Sequence, residues 1–420
     1  MIGVIADDLT GASDAASAMR RRGLEVAVTF GVPTSASLSS LAGIDVVIAA
    51  LKTRSVDAIV AVAAVESTAD VFAALEIDIV YFKYCSTFDS TPRGNIGAVA
   101  DALMSRTGTD IFLHVPGYPD NGRTVCHGYL FVDDLLLGES SMRHHPLNPM
   151  LDSDLVRLLS PQTGTAAMKL RYIDIRSETE AVALISSIET TAHVLCDTLD
   201  NADIDALTRV ATAGGVAPRV LVGGGAPMAA ALCSTLVRSR RTVDEDTTRS
   251  EFRAGPRTDG FAVAIAGSAS ATTARQIDAF DGPTLRLSAR ELAQSDIAAR
   301  VHSWALDRWE RGPILVTSNG GGTERLDSAE AEAVELGLAA IARRLVEAGA
   351  DRIIVAGGET SGAVAVGLGI STVVVGDEIC TGVPWTYAFD PAVWIAFKSG
   401  NFGSDDFFRS AFDSQMVCSA

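Results

Sequence analysis

Runs that are apolar at every position alternate with helix-length amphipathic stretches: "MIGVIA", "SDAASAMRRRG", "LEVAVTF", "IDVVIAAL", "VDAIVAVAAVESTADVFAAL", "DIVYFKY". A strand with one wet face alternates polar and apolar residues, whereas a strand covered on both faces is apolar throughout. Such strands, separated by helices, predict parallel sheets with helices on both faces and hence an α/β fold. The rhythm continues through "MKLRYIDI", "AHVLCD" and "PRVLVGGG" and fails over residues 238–260, "RSRRTVDEDTTRSEFRAGPRTDG". It restarts with "FAVAIAGSASATTARQI", "PILVTSNGGGTE", "RIIVAGGETSGAVAVGL" and "STVVVGD". The charge-dense break reads as a linker. At 420 residues the chain exceeds one ordinary core, and the expectation is two α/β domains with largely parallel sheets and a cleft between them.

Composition narrows the partners. Asp and Glu number 52 against 34 Lys and Arg, and a formal charge of −18 repels phosphate backbones and anionic lipid. Neither nucleic acid nor a membrane is an expected partner, although a local cluster of cations and backbone N–H groups can still hold a small anion. The six cysteines, at 85, 126, 196, 233, 380 and 418, form no CxxC pair, which suits a reducing cytoplasm. Met1 opens directly onto "IGVIADD", which fits neither a signal peptide nor a membrane span.

In open parallel sheets ligands sit beyond the carboxyl ends of the strands, so the informative residues follow each apolar run. In "IADDLTGASDAA", Asp7 and Asp8 follow a strand and lead into a helix. Adjacent carboxylates cost energy unless a cation or hydroxyl offsets them, although a lone Asp there is often only a cap. "YFKYCSTFDSTPRGNIG" places Lys83, Ser86, Thr87, Asp89, Ser90, Thr91, Arg93 and Asn95 within a dozen residues of a strand, an inventory suited to a polyol or hydroxy acid. Arg93 can take a carboxylate as a two-point fork and Asp89 can accept from hydroxyls; the competing reading is a solvated turn. "PGYPDNGRTVCHGYLFV" reads as a rigid loop whose His127 is held in reserve, and His144 and His145 lack the spaced partners of a zinc site.

In the second half, "AIAGSASATTARQ", "VTSNGGGTE", "VAGGETSGAV" and "KSGNFGSDDFF" each set Gly and small hydroxyls at a strand end, where backbone N–H groups can cradle phosphate. None is a Walker loop or a dinucleotide fingerprint. Gly357 and Gly358 permit a tight turn and Thr360 starts a helix whose amides face an anion such as a nucleotide phosphate. Glu359 beside such an anion implies Mg²⁺ between them, against the bland alternative of a capping Glu.

Together "IADDLTGASDAA", "KYCSTFDSTPRGNIG", "GSASATTARQ", "AGGETSGAV" and "KSGNFGSDDFF" resemble the four-carbon acid sugar kinase family, over residues 1 to about 411. "KYCSTFDST", "NGRTV", "MRHHPLNPMLDSDLVRLLSPQT" and "GVPWT" look like its branch acting on 3-oxo-tetronate. The resemblance implies an acid-sugar-binding domain over 1–240 and an ATP-binding domain over 258–420. The reaction it implies is phosphorylation of the C4 hydroxyl of 3-oxo-tetronate, in carbohydrate-acid catabolism. It places the nucleotide on Ser268, on Gly357, Gly358, Glu359 and Thr360, and on Gly400. Relatives commonly carry Gly-Gly-Ser-Gly where this chain reads "VGGGAPMAAAL", so Gly223 to Gly225 are left outside the site.

Phosphoryl transfer rests on alignment and charge neutralisation. The expected roles are Asp8 or Asp89 as the base for the attacking hydroxyl, and Lys83 and Arg93 on the substrate carboxylate or transferring group. Asp7, Ser86 and Asn95 complete the substrate set, with ATP and Mg²⁺ as cofactors and a homodimer as a candidate assembly. Kinases for D-threonate, D-erythronate or a related four-carbon acid, and a non-catalytic sensor of acid sugar and nucleotide, are the rival readings.

Overall fold

A computed structural model describes residues 1–413 apart from 40, 42, 145–147, 241–259 and 319–327. The chain divides into two compact units, Met1–Thr248 and Arg249–Ala420. Residues 241–259 of the expected linker, His145, Cys418 and the glycines of "SNGGGTE" lie outside the described residues.

In the first unit the strands lie in the order Val26–Phe30, Val46–Ala50, Ile2–Ala6, Asp78–Lys83, Val220–Gly224, Ile111–Val115, Ala192–Cys196, Ala166–Leu170. Every pairing is parallel. Ile2–Ala6 and Val46–Ala50 are buried at all positions, which is why their sequences do not alternate. Ala6 lies opposite both Ala50 and Lys83, so three strands deliver their following residues to one place. The helix Leu9–Arg21 buries Ala12, Ala15, Ala16 and Met19, an i, i+3, i+4, i+7 face, and packs against the helix Ala226–Arg240.

The stretch expected as a rigid loop folds otherwise. After one 3₁₀ turn at Pro119–Asn121, Arg123–Cys126 and Tyr129–Val132 form an antiparallel hairpin, and Leu135–Leu136 adds a third strand. Cys126 pairs with Tyr129, leaving His127 and Gly128 as a two-residue turn with φ of 53° and 76°, the positive-φ pair that matches strand twist. The buried Asp197 carboxylate accepts from the amides of His127 and Gly128, both at 2.8 Å, and from Tyr172 at 3.0 Å. His127 is thus a turn residue fastened through its backbone.

The second unit's strands run Thr284–Arg286, Ile314–Thr317, Phe261–Ala266, Ala350–Ala356, Ala392–Lys398, Val383–Phe389, Thr372–Cys380. Pairing is parallel up to Ala392–Lys398 and antiparallel beyond it. Cys380 pairs with Val383 across Thr381 and Gly382, and so short a link permits only a hairpin, since a parallel crossover needs about a dozen residues. Trp385, Trp394, Phe407, Phe408 and Phe412 close the core on one face.

Candidate active site

Asp7 and Asp8 leave the first strand together. Asp7 is buried, its amide donating to the Lys83 carbonyl at 3.0 Å and its own carbonyl accepting from Thr53 and Arg54. Asp8 caps the helix Leu9–Arg21, accepting from the Gly11 amide at 2.7 Å. The charge of this pair is met by Arg54, which forks onto Asp7 at 2.9 and 2.8 Å and reaches Asp8 at 2.7 Å. Burial opposes the Arg54 charge, but the Asp7 carboxylate outweighs it and drives the guanidinium upward. At Asp8 burial prevails, raising its carboxyl above the usual range despite Arg54. Arg54 follows the run "IDVVIAAL" and so sits at a strand's carboxyl end like the other site residues, but no neighbouring motif marks it in the sequence.

Lys83 is 3% exposed and donates to the Tyr84 carbonyl at 2.7 Å. It makes no ion pair within 4.0 Å among the described residues, an unusual state for a buried cation. A Cβ on Gly11 would stand 2.5 Å from Asp8 Oδ1, 3.1 Å from Lys83 Nζ and 3.3 Å from Arg54 Nη2, so the three charged groups converge on a space that only glycine leaves open.

The neighbouring turn is strained. Phe88 and Asp89 both have positive φ, 65° and 45°, a conformation that non-glycine residues keep only where surroundings enforce it. Here Asp89 is buried, its Oδ1 accepting from Thr87 at 2.7 Å, and Thr87 Oγ1 also meets Cys85 Sγ at 3.1 Å. Burial pushes the Cys85 thiol up to about 11. Asn95 gives both amide hydrogens to the loop carrying Arg54, at the carbonyls of Thr53 (2.7 Å) and Val56 (3.0 Å). Gln162, also unread in the sequence, ties Thr91 O (2.8 Å) to the Gly97 amide (3.1 Å). Ser86 is half-buried, and Arg93 stands exposed on the turn without an ion pair among the described residues.

The second unit gathers a different set. Gly357, with φ 129°, caps the helix Gly358–Gly367, so the helix opens two residues before Thr360. Added Cβ atoms at Gly267, Gly357 and Gly400 would meet, respectively, Thr360 Oγ1, the Ser268 amide (3.1 Å) and Ser268 Oγ. Ser268, Gly357, Thr360 and Gly400 therefore share one small space. A Cβ at Gly358 meets nothing within 4 Å, and Glu359 is exposed beside it. The Gly400 carbonyl accepts from Ser270 Oγ (2.6 Å), Thr273 Oγ1 (2.8 Å) and Lys398 Nζ (3.2 Å). Lys398 is buried, bonded to carbonyls and a hydroxyl, and desolvation brings its ammonium down to about 8. Behind Thr360, whose hydroxyl donates to Glu335 Oε1 at 3.2 Å, Glu335 Oε2 is buried without a hydrogen-bond partner. Burial raises the Glu335 carboxyl, with Thr360 opposing. Neither Lys398 nor Glu335 stood out in the sequence: one hides inside "KSGN" and the other lies mid-helix, far from any strand end.

Residues 2–232 match a family described as a sugar-binding N-terminal domain, and residues 263–408 one described as a nucleotide-binding C-terminal domain. Fold and sites thus define a protein that joins a sugar-binding unit to a nucleotide-binding one. Over 98% of its length the chain is 38% identical to a 3-oxo-tetronate kinase of Pseudomonas fluorescens, covering 96% of that relative. It is 33% identical to a 3-oxo-tetronate kinase of Haemophilus influenzae, covering 99% of it. A crystal structure of a Haemophilus influenzae protein superposes with a TM-score of 0.84 at 32% identity, over 98% of this chain and 100% of that one. A Salmonella typhimurium protein provisionally called a tRNA synthase gives 0.85 at 36% identity, over 98% of each chain. The chain belongs to the four-carbon acid sugar kinase family.

Proposed function

We propose that the chain transfers the γ-phosphoryl group of ATP to the C4 hydroxyl of 3-oxo-tetronate, giving 3-oxo-tetronate 4-phosphate, as the names of its full-length relatives suggest. The observation that carries the acid-binding half is Lys83, a buried ammonium with one carbonyl acceptor and no carboxylate within ion-pair reach among the described residues. Asp8 acts on this charge from beyond ion-pair distance, and a small carboxylate or a phosphoryl group would supply the direct opposite charge that stabilises a buried cation. Arg93 adds a second cation, while Ser86, Asn95 and Asp7 organise the surrounding polar contacts.

Asp8 is the better placed base. Its Oδ1 is engaged by Gly11 and Arg54 and its side chain remains 25% exposed, whereas Asp89 is nearly sealed inside its strained turn. The raised carboxyl brings Asp8 nearer the working pH, which favours proton acceptance in the transition state. In the second unit the amides beginning at Gly358, with Ser268, Thr360 and Gly400, take the ATP phosphates, an arrangement suited to anions by its N–H groups and helix dipole. The donor set also suits Mg²⁺, which on nucleotides needs only one or two carboxylates: Glu359 would hold it, with the unpartnered Glu335 oxygen behind. When bound, Mg²⁺ neutralises charge on the phosphoryl oxygens. The five cysteines among the described residues are free, which accords with a cytoplasmic enzyme.

Measurement of ADP release with 3-oxo-tetronate, D-threonate and D-erythronate tests the assignment. The highest kcat/KM is expected for 3-oxo-tetronate. A preference for either other acid would move the enzyme to a neighbouring activity, and silence with all three would leave a sensor.

A further inference from the structure

A file of buried polar groups runs beneath the first unit's site that neither the acid nor the base chemistry uses. Tyr84 Oη lies 3.0 Å from His114 Nδ1, His114 Nε2 lies 2.9 Å from His193 Nδ1, and His193 Nε2 lies 2.9 Å from Asp101 Oδ1. Tyr84, His114 and His193 are each 0% exposed, while the Asp101 side chain, on the helix Ile96–Thr107, is 32% exposed. His114 and His193 stand on the adjacent parallel strands Ile111–Val115 and Ala192–Cys196.

Only one direction of donation satisfies every group. An ionised carboxylate can only accept, so His193 carries its proton on Nε2 and presents Nδ1 as an acceptor. His114 then donates from Nε2, and its Nδ1 accepts from the Tyr84 hydroxyl. Burial keeps His114 neutral, with the neighbouring His193 adding to the effect, and burial keeps the Tyr84 phenol protonated. The far end of the file matters to the site. The Tyr84 carbonyl is the acceptor for Lys83 Nζ, and the Tyr84 ring abuts Phe88 edge-on at 5.8 Å, in the strained turn that presents Asp89.

We propose that Asp101 is a positioning residue for acid binding: it sets the tautomers of His193 and His114, which fix the Tyr84 side chain and through it the Lys83 ammonium and the Phe88–Asp89 turn. The inference rests on the reading above that Lys83 receives the acid. Asp101 does not touch substrate and its effect travels through the file, so it acts on affinity for the acid and not on the nucleotide.

Nitrogen-15 NMR of the full-length enzyme with labelled histidines, six in the chain, together with steady-state kinetics, tests this. In the wild type both His114 and His193 are expected protonated at Nε2 alone. Asp101→Ala should abolish that uniform state and raise KM for 3-oxo-tetronate about three- to tenfold, the range for losing one buried hydrogen bond, with kcat and the ATP KM within about twofold. Tyr84→Phe, which keeps the ring, should do the same. Asp101→Asn, whose side-chain oxygen can accept the same bond, should restore most of the affinity. An Nδ1-protonated tautomer at either histidine in the wild type overturns the proposal. So does a wild-type acid KM in both Asp101→Ala and Tyr84→Phe while Lys83→Met raises it, an outcome that leaves the Lys83 reading intact. If Lys83→Met itself leaves the acid KM unchanged, the Lys83 reading fails and this inference falls with it.

Discussion

Asp8 shows how a single carboxyl can be costly to the fold and, in the role proposed for it as base, useful to the chemistry. Its burial is only partly offset by Arg54, so it titrates higher in the folded protein than in the unfolded chain. A carboxyl raised in this way contributes stability that is present below its unfolded value, about pH 4, and is lost as pH rises through the folded one. Asparagine keeps an acceptor for the Gly11 amide and has no charge to bury. Asp8→Asn is therefore expected to melt above the wild type at neutral pH, with the gap closing as pH falls toward 4, and to lose kcat by a factor on the order of 10² or more. Thermal melts across pH and ADP-release rates check the two halves. If Asp89→Asn loses turnover to that extent and Asp8→Asn does not, the base is Asp89. Arg54 explains why sequence reading reached the acids but not their counterion: Asp7 and Asp8 are adjacent in the chain, whereas the guanidinium arrives from 46 residues away through strand pairing.

At the level of strands and loops, the apolar runs "MIGVIA" and "IDVVIAAL" were legible as strands because full burial removes alternation, and "DIVYFKY" by its unbroken apolar centre, although only Tyr81, Phe82 and Lys83 of that strand are fully buried. The hairpin at Arg123–Val132 was not, since Pro116, Pro119 and Gly122 just before it resemble a loop and its pairing depends on the turn geometry of His127 and Gly128. The residues gathered around Ser268 were legible as glycine-rich strand ends, yet Lys398 was not, because nothing in a sequence shows that a lysine is buried. Two substitutions probe this part of the molecule. The Cβ position of Gly358 faces no protein atom, so Gly358→Val should raise the ATP KM on the order of tenfold with little change in Tm, through exclusion of ligand and not through repacking. Lys398→Met removes one of the three donors that hold the Gly400 carbonyl; it should also raise the ATP KM and leave the acid KM unchanged. An unaltered ATP KM in both variants would remove these loops from the nucleotide site.

For the whole molecule, charge sets the approach of ligands. With a net −18, the surface repels both anionic substrates at long range, and salt screens that repulsion over a distance of about 10 Å at 0.1 M. Raising ionic strength from about 20 to about 150 mM at fixed free Mg²⁺ should therefore increase kcat/KM for the acid by less than about threefold; a steep fall would show that local cations govern encounter instead. The cross-bracing of the first unit has a further consequence. Asn95, Gln162 and Arg54 fasten their loops to one another through direct side-chain hydrogen bonds. A four-carbon acid has few atoms, and even the best small ligands gain at most about 1.5 kcal/mol for each heavy atom. So slight a guest can spare little of that energy for tidying its host, and at the site proposed for it the loops hold one another by their own hydrogen bonds.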